Sequence, residues 1–299
     1  MRPSTANPAA PRPLARFAQR HALLLYCVLA FAFSWGYWLA LLARGERVGP
    51  GSSATHLPGL CGPFLAALVV TALAEGMPGL VRLLRSCVRL PVPRWRSALL
   101  ALSPLLLGAL IFAALAAFGH PLPSLRDFNT YPGIPQAPSL GVAAVVALLL
   151  NGLGEEGGWR GFALPRLAQG RSRLRAALAV AGIWLLWHAP LFVLNTSMAA
   201  LLGPALLGWA LGLTAGSLVL AWLYFQGRSV LLVAVWHTAF NFLVATAPGQ
   251  GLVAAVGSTV VMLLAVAVAA AWRRAPAQTD DLGRPQNSSP PTTHKARRS

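Results

Sequence analysis

At 299 residues, with 56% hydrophobic and only 10% charged residues and a mean hydropathy of +0.62, the chain is unlike a soluble domain, in which roughly a quarter of residues are charged. Its formal net charge of +17, from 24 basic and 7 acidic residues, does not indicate a nucleic-acid partner. The basic residues fall between long apolar runs, where they set orientation and meet anionic lipid headgroups. Cys27, Cys61 and Cys87 form no CxxC pair and are read as packing or surface thiols, with no disulfide or metal role.

The chain opens on a basic arm, residues 1–20, carrying Arg2, Arg12, Arg16 and Arg20. Eight candidate membrane spans follow, near 22–42, 57–74, 98–118, 139–156, 176–194, 201–224, 229–247 and 251–272. Each approaches the length a helix needs to cross a bilayer. The first is read as a retained helix: no small-residue cleavage site follows it, and further spans do. The loop 119–138 is rich in proline and polar residues, and the tail 275–299, like the first 13 residues, has the composition of a disordered segment. The transmembrane domain therefore covers residues 21–274.

Basic residues alternate between the two sides of this arrangement. Twenty-one lie on one side and three, Arg44, Arg47 and Arg126, on the other. The positive-inside rule makes this a multi-pass cell-membrane protein with both termini cytoplasmic.

Polar groups within the spans are costly, about 2.5–3.5 kcal/mol for a charge at mid-membrane on an insertion scale. Those that occur are Glu155 and Glu156 at the end of the fourth span, His188 in the fifth, and His237 and Asn241 in the seventh. At 1.5 Å per residue His188 lies about 18 Å and His237 about 12 Å from the cytoplasmic ends of their helices. Glu155 is shallower by the same counting, so the groups meet only if the fourth span bends or extends inward, or if a water-filled cavity indents the cytoplasmic side. Gly152, Gly154, Gly157, Gly158 and Gly161 surround the glutamates and allow close helix approach or a helix break. Pro190 loosens the helix near His188. Glu156 and Arg160, four apart, are placed to pair. Trp159, Trp187 and Trp236 are read as packing or interface aromatics.

A carboxylate and a histidine sharing a water can take its proton, so that the oxygen attacks a carbonyl. A second histidine with an asparagine on the same helix face can donate to the resulting oxyanion. No G-x-S-x-G is present and no cysteine lies near either histidine in sequence, so serine and cysteine routes are weaker. One glutamate and two histidines are also a zinc-type ligand set, although H-E-x-x-H is absent. Two adjacent carboxylates in a partly dehydrated cavity do not both ionise easily, so a carboxylate-like limb is expected in a pH–rate profile.

The segment EEGGWR, Glu155–Arg160, fits the E-E-x-x-x-R motif of the CPBP (ABI) family, the CAAX prenyl endopeptidase and bacteriocin-processing intramembrane glutamate proteases. HTAFN, His237–Asn241, resembles its H-x-x-x-N motif. WLLWH, Trp184–His188, resembles its F-x-x-x-H motif with tryptophan in place of phenylalanine. The three motifs stand in the family's order within residues 155–241; residues 1–138 resemble it only in their apolar spans.

The resemblance implies an all-α bundle of about eight transmembrane helices with a polar cavity facing the cytoplasm. It implies that Glu155 with His188 activates water, that His237 and Asn241 stabilise the oxyanion, and that Glu156 and Arg160 support Glu155. It implies no cofactor and no required metal. The expected partners are a peptide or protein substrate, membrane-associated and lipidated ones included, and anionic lipid headgroups. Two other readings stand beside the endopeptidase: a non-catalytic membrane scaffold or immunity protein of the same fold, and, less favoured, a proton-coupled transporter. The last lacks a counterpart to the Gly-rich interruption in its other half.

Overall fold

The structure, a computed structural model, describes residues 13–49, 52–134 and 139–274. The first 12 residues of the basic arm and the tail 275–299, with the disorder expected of them, lie outside the described residues. Among these residues every regular element is helical, and one isolated bridge joins Val48 to Asn195. The helices are α1 (Pro13–Arg20), α2 (Ala22–Ala43), α3 (Leu57–Val88), α4 (Arg94–Ala117), α5 (Leu140–Leu167), α6 (Arg173–Trp187), α7 (Pro204–Gly227), α8 (Val230–Ala245) and α9 (Leu252–Arg274).

Six of them, α2, α3, α4, α5, α7 and α9, are long and apolar enough to cross a membrane. The chain is a polytopic membrane bundle. The fifth and seventh expected spans appear as shorter helices, α6 of 15 residues and α8 of 16. His237 lies within α8, and His188 caps the C-terminal end of α6. α6 stops at His188 because Pro190 cannot supply the next amide, and two single-turn pieces, Leu191–Leu194 and Thr196–Ala199, complete the crossover.

The connections gather at two ends. At one end Ser229 bonds the Arg89 carbonyl and Glu75 pairs with Arg82 and Arg166. At the other Val48 meets Asn195, Thr55 bonds the Gly133 carbonyl, and the Ala247 amide donates to Thr130 Oγ1. These are the arginine-rich and arginine-poor ends expected from the loop charges, with one exception. Arg160, counted among the loop arginines, is fully buried inside the bundle.

Packing follows membrane logic, with small and polar residues turned inward and large apolar ones outward. α2 buries Ala22, Tyr26, Ala30, Ser34 and Trp38, one per turn, while Leu24, Val28 and Leu39 face out. Gly59 and Gly62 lie against Trp38 and Ser34, which lets α3 and α2 approach closely. α3 breaks at Gly76, whose φ of 63° favours glycine, and Pro78 follows two residues on.

Candidate active site

α5 settles the depth of the two glutamates. The fourth span does not end at residue 156 but runs to Leu167, so Glu155 falls near its middle. At 1.5 Å per residue it lies about 18 Å from the arginine-rich end of its helix. Two wider, π-helical turns, Leu148–Leu153 and Trp159–Ala163, flank the segment Gly154–Gly158 that carries both acids. Such turns are rare and recur at functional sites.

The glycines decide what α5 can touch. A Cβ on Gly158 would sit 2.5 Å from the Pro63 carbonyl oxygen, and one on Gly152 would sit 2.8 Å from the Ala234 carbonyl oxygen. Their absence lets α3 and α8 close on α5. That contact sets Asn151 beside Asn241 and Glu156 beside His237.

The two glutamates are then held in opposite ways. Glu156, fully buried, takes the cation: Arg160 Nη1 donates to Oε1 at 2.8 Å and to Oε2 at 2.9 Å. Arg160 Nη2 donates to Ser217 Oγ at 3.1 Å, and that hydroxyl donates to the Ala177 carbonyl at 3.2 Å. His237 Nδ1 lies 2.9 Å from Glu156 Oε1. A carboxylate there accepts only, so Nδ1 carries the hydrogen and Nε2 points away from Glu156.

Glu155, 2% exposed, takes neutral donors. The Asn151 amide donates to its Oε1, and the Trp184 indole N–H donates to its Oε2 at 2.7 Å. Because Asn151 gives its Nδ2 hydrogens to a carboxylate, its Oδ1 must face the other way. There it accepts from Asn241 Nδ2 at 2.6 Å and from the Tyr131 hydroxyl at 2.5 Å. Asn241 Nδ2 also reaches the Tyr131 hydroxyl oxygen at 3.3 Å. A directed chain of donors thus runs from α8 and the 119–138 loop through Asn151 into Glu155.

His188 closes the last turn of α6. Its amide bonds Leu185 rather than Trp184, which frees the Trp184 carbonyl, and His188 Nδ1 fills the gap at 2.7 Å. A carbonyl accepts only, so Nδ1 is the donor and the neutral ring presents Nε2 as an acceptor. Trp184 joins the set: its ring lies 5.7 Å from that of His188 and 5.5 Å from that of His237, with the Arg160 guanidinium 4.8 Å from its centroid.

All six residues singled out in the sequence therefore fall within one polar cluster, with Glu155 and His188 linked through Trp184. Four further members were not singled out as site residues: Asn151, Tyr131, Trp184 and Ser217. Asn151 was open to detection, since it precedes Glu155 by one helical turn in an otherwise apolar run. Tyr131 was not, because it reaches the cluster from a loop. Among the described residues no group of three or more His, Cys, Asp and Glu side chains is gathered to hold a metal ion.

Beside the cluster, between α4, α5 and α8, lies an apolar cavity of about 470 Å³ lined by Leu102, Phe112, Phe128, Leu148 and Phe242. Thr238, next to His237, borders it, but its buried hydroxyl has no hydrogen-bond partner and faces the place where Gly152 lacks a side chain.

The same helices are those shared with known proteins. Residues 137–243 match the family model described as type II CAAX prenyl endopeptidase Rce1-like. Over this segment the chain is similar to that family. A curated relative, the CAAX prenyl protease 2 of Methanococcus maripaludis, is 30% identical over 105 residues, which are 33% of this chain. The match spans 39% of that protein's length. The matched segment begins just before α5 and ends within α8, so it contains Glu155, Glu156, Arg160, Trp184, His188, His237 and Asn241.

Proposed function

We propose that the chain is an intramembrane endopeptidase in which Glu155 and His188 activate a water for attack on a peptide carbonyl. The observation that carries this reading is the division of the two acids. Glu156 is occupied by Arg160 and His237, whereas Glu155 has a neutral donor on each oxygen and no cation bonded to it. A carboxylate so held keeps lone pairs for a water, and His188 Nε2 is the acceptor for that water's second hydrogen.

The proton moves to Glu155 as the water oxygen adds to the carbonyl carbon. The C–N bond then breaks, and the proton passes from Glu155 to the leaving amine nitrogen. His237, its Nδ1 anchored on Glu156, donates to the oxyanion through Nε2 when the ring is protonated. Asn241 contributes by exchanging its longer bond, 3.3 Å to Tyr131, for one to the substrate oxygen, while its 2.6 Å bond to Asn151 stays in place. Glu156 and Arg160 support the arrangement.

The substrate is a peptide or protein that reaches the bilayer. A lipidated C-terminal Cys-aliphatic-aliphatic-X segment is the first to test, because the matched family and relative are named for it. The arginine-rich end faces the cytoplasm by the positive-inside rule. The test is cleavage of farnesylated and unmodified reporter peptides by the purified protein in liposomes, comparing wild type with Glu155→Ala and His188→Ala. Loss of cleavage in both variants is the expected result, and undiminished cleavage in both would remove these residues from the mechanism.

A non-catalytic scaffold of the same fold is the second reading. Its supporting observation is the near-complete burial of Glu155 and His237 and the engagement of the Asn241 amide hydrogens by Asn151 and Tyr131. Biological function that survives both alanine variants would favour it.

A further inference from the structure

The three-dimensional surroundings of Trp184 go beyond those of an aromatic packing residue. The related motif has phenylalanine here, which has a ring but no hydrogen-bond donor. Trp184 uses both its ring and its N–H. The indole Nε1 donates to Glu155 Oε2 at 2.7 Å, while the ring stands against Arg160 with the guanidinium carbon 4.8 Å from its centroid. The side chain thus engages the buried cation with its ring and places a neutral donor on the carboxylate. Asn151 supplies the second neutral donor, on Oε1, and its own orientation is fixed by Asn241 and Tyr131.

We propose that Trp184 and Asn151 are positioning residues that form a two-point neutral cradle for Glu155. The cradle fixes the rotation of the carboxylate and keeps it from pairing with Arg160, so that Glu156 alone takes the cation. The inference rests on the endopeptidase reading for its consequence in rate, but the cradle itself is a matter of bonding.

Without the cradle two competing arrangements open. A carboxylate with one oxygen unpartnered can rotate about its last side-chain bond and lose its aim at the water. An Arg160 no longer engaged by the indole can divide itself between two adjacent carboxylates. Neither change touches the rest of a bound peptide, so ground-state binding should persist while the chemical step slows. A displacement of about 1 Å at a reacting group can cost on the order of 100-fold in rate.

Trp184→Phe is the cleanest variant, since it keeps a ring over Arg160 and deletes the donor. In the liposome assay with a farnesylated reporter peptide, kcat is expected to fall roughly 10- to 100-fold with KM within about twofold. Asn151→Ala should show the same split. A residue needed only for packing would lower the amount of folded protein and leave kcat per folded molecule unchanged.

The spectroscopic arm does not depend on turnover. In 15N-tryptophan-labelled protein the Trp184 indole N–H resonance is assigned by its disappearance in Trp184→Phe. That resonance should move when Glu155→Gln replaces the charged acceptor, and the other indole resonances should hold still. An unmoved Trp184 resonance, or a Trp184→Phe enzyme with the wild-type kcat, would overturn the cradle. If the wild-type protein cleaves nothing, the endopeptidase reading falls, and the resonance shift alone then decides whether the cradle exists.

Discussion

Arg160→Met is the perturbation whose size follows most directly from the structure. Arg160 and Glu156 are both fully buried, and Arg160 Nη1 donates to both Glu156 oxygens while Nη2 donates to Ser217. Methionine fills much of the same space with no charge. It leaves Glu156 buried with His237 as its remaining bonded partner, and leaves Ser217 without its donor. Removing one member of a buried ion pair costs about 3–5 kcal/mol, because the other charge stays desolvated. Replacing both members is far cheaper, so adding Glu156→Gln to Arg160→Met should recover more than half of the loss. The assay is denaturant unfolding of the four proteins of this cycle in detergent micelles, read by tryptophan fluorescence. A single Arg160→Met variant within about 1 kcal/mol of wild type, the figure for an exposed pair, would refute the argument that the interior holds a dry, mutually dependent pair.

Further outcomes follow from other parts of the bundle. Gly158→Ala places a Cβ where the Pro63 carbonyl oxygen lies 2.5 Å away; the overpacking should cost about 1–3 kcal/mol, and a thermal midpoint equal to wild type would contradict the close α3–α5 contact. His56, buried just before α3, has its pKa lowered by desolvation from 6.5 to about 4. The unfolded chain therefore binds the extra proton first, and stability from this residue, fully present above pH 6.5, is lost as pH falls toward 4, by about 3 kcal/mol in all; His56→Gln should flatten the stability curve over that window, and an unchanged slope would be the contrary result. A chelator should leave the cleavage rate unchanged, because the proposed water is activated by Glu155 and His188 alone; rate loss restored by added zinc would overturn that expectation.

The polytopic fold was legible from the sequence because a bilayer demands long apolar runs, and loop arginines sort by side. The errors trace to one cause. Counting apolar runs ends a span at its first charges, so the fourth span was closed at residue 156 and Arg160 was placed with the loops. Inside the bundle Glu156, Arg160 and His237 satisfy one another, and the helix continues to Leu167. The same oversight made Glu155 look too shallow to meet the histidines. The run of five glycines around the acids was the visible sign that this stretch faces helices rather than headgroups.

The candidate site was legible at the level of residue type and less so at the level of partnership. Glu155, His188, His237 and Asn241 stood out because polar groups at depth are costly. Nothing in the sequence said which glutamate would take the arginine and which the neutral donors. That division depends on side-chain directions across α5, α6 and α8. Trp184 was recognised as a conservative aromatic exchange; only its distance to Glu155 shows that the exchange adds a donor. Tyr131 lies on a loop whose path across the bundle is set by contacts at Thr55 and Gly133.

The central claim is that the Glu155 carboxylate takes the proton of the attacking water. Glu155→Gln tests it most directly, since the amide keeps the shape of the side chain and cannot act as the base. The measurement is the single-turnover cleavage rate of this variant and of wild type in the same liposomes, with equal folded protein. The account predicts a fall of at least about 100-fold, the lower range for loss of a general base. A Glu155→Gln rate within threefold of wild type, or on the order of it, would contradict the account.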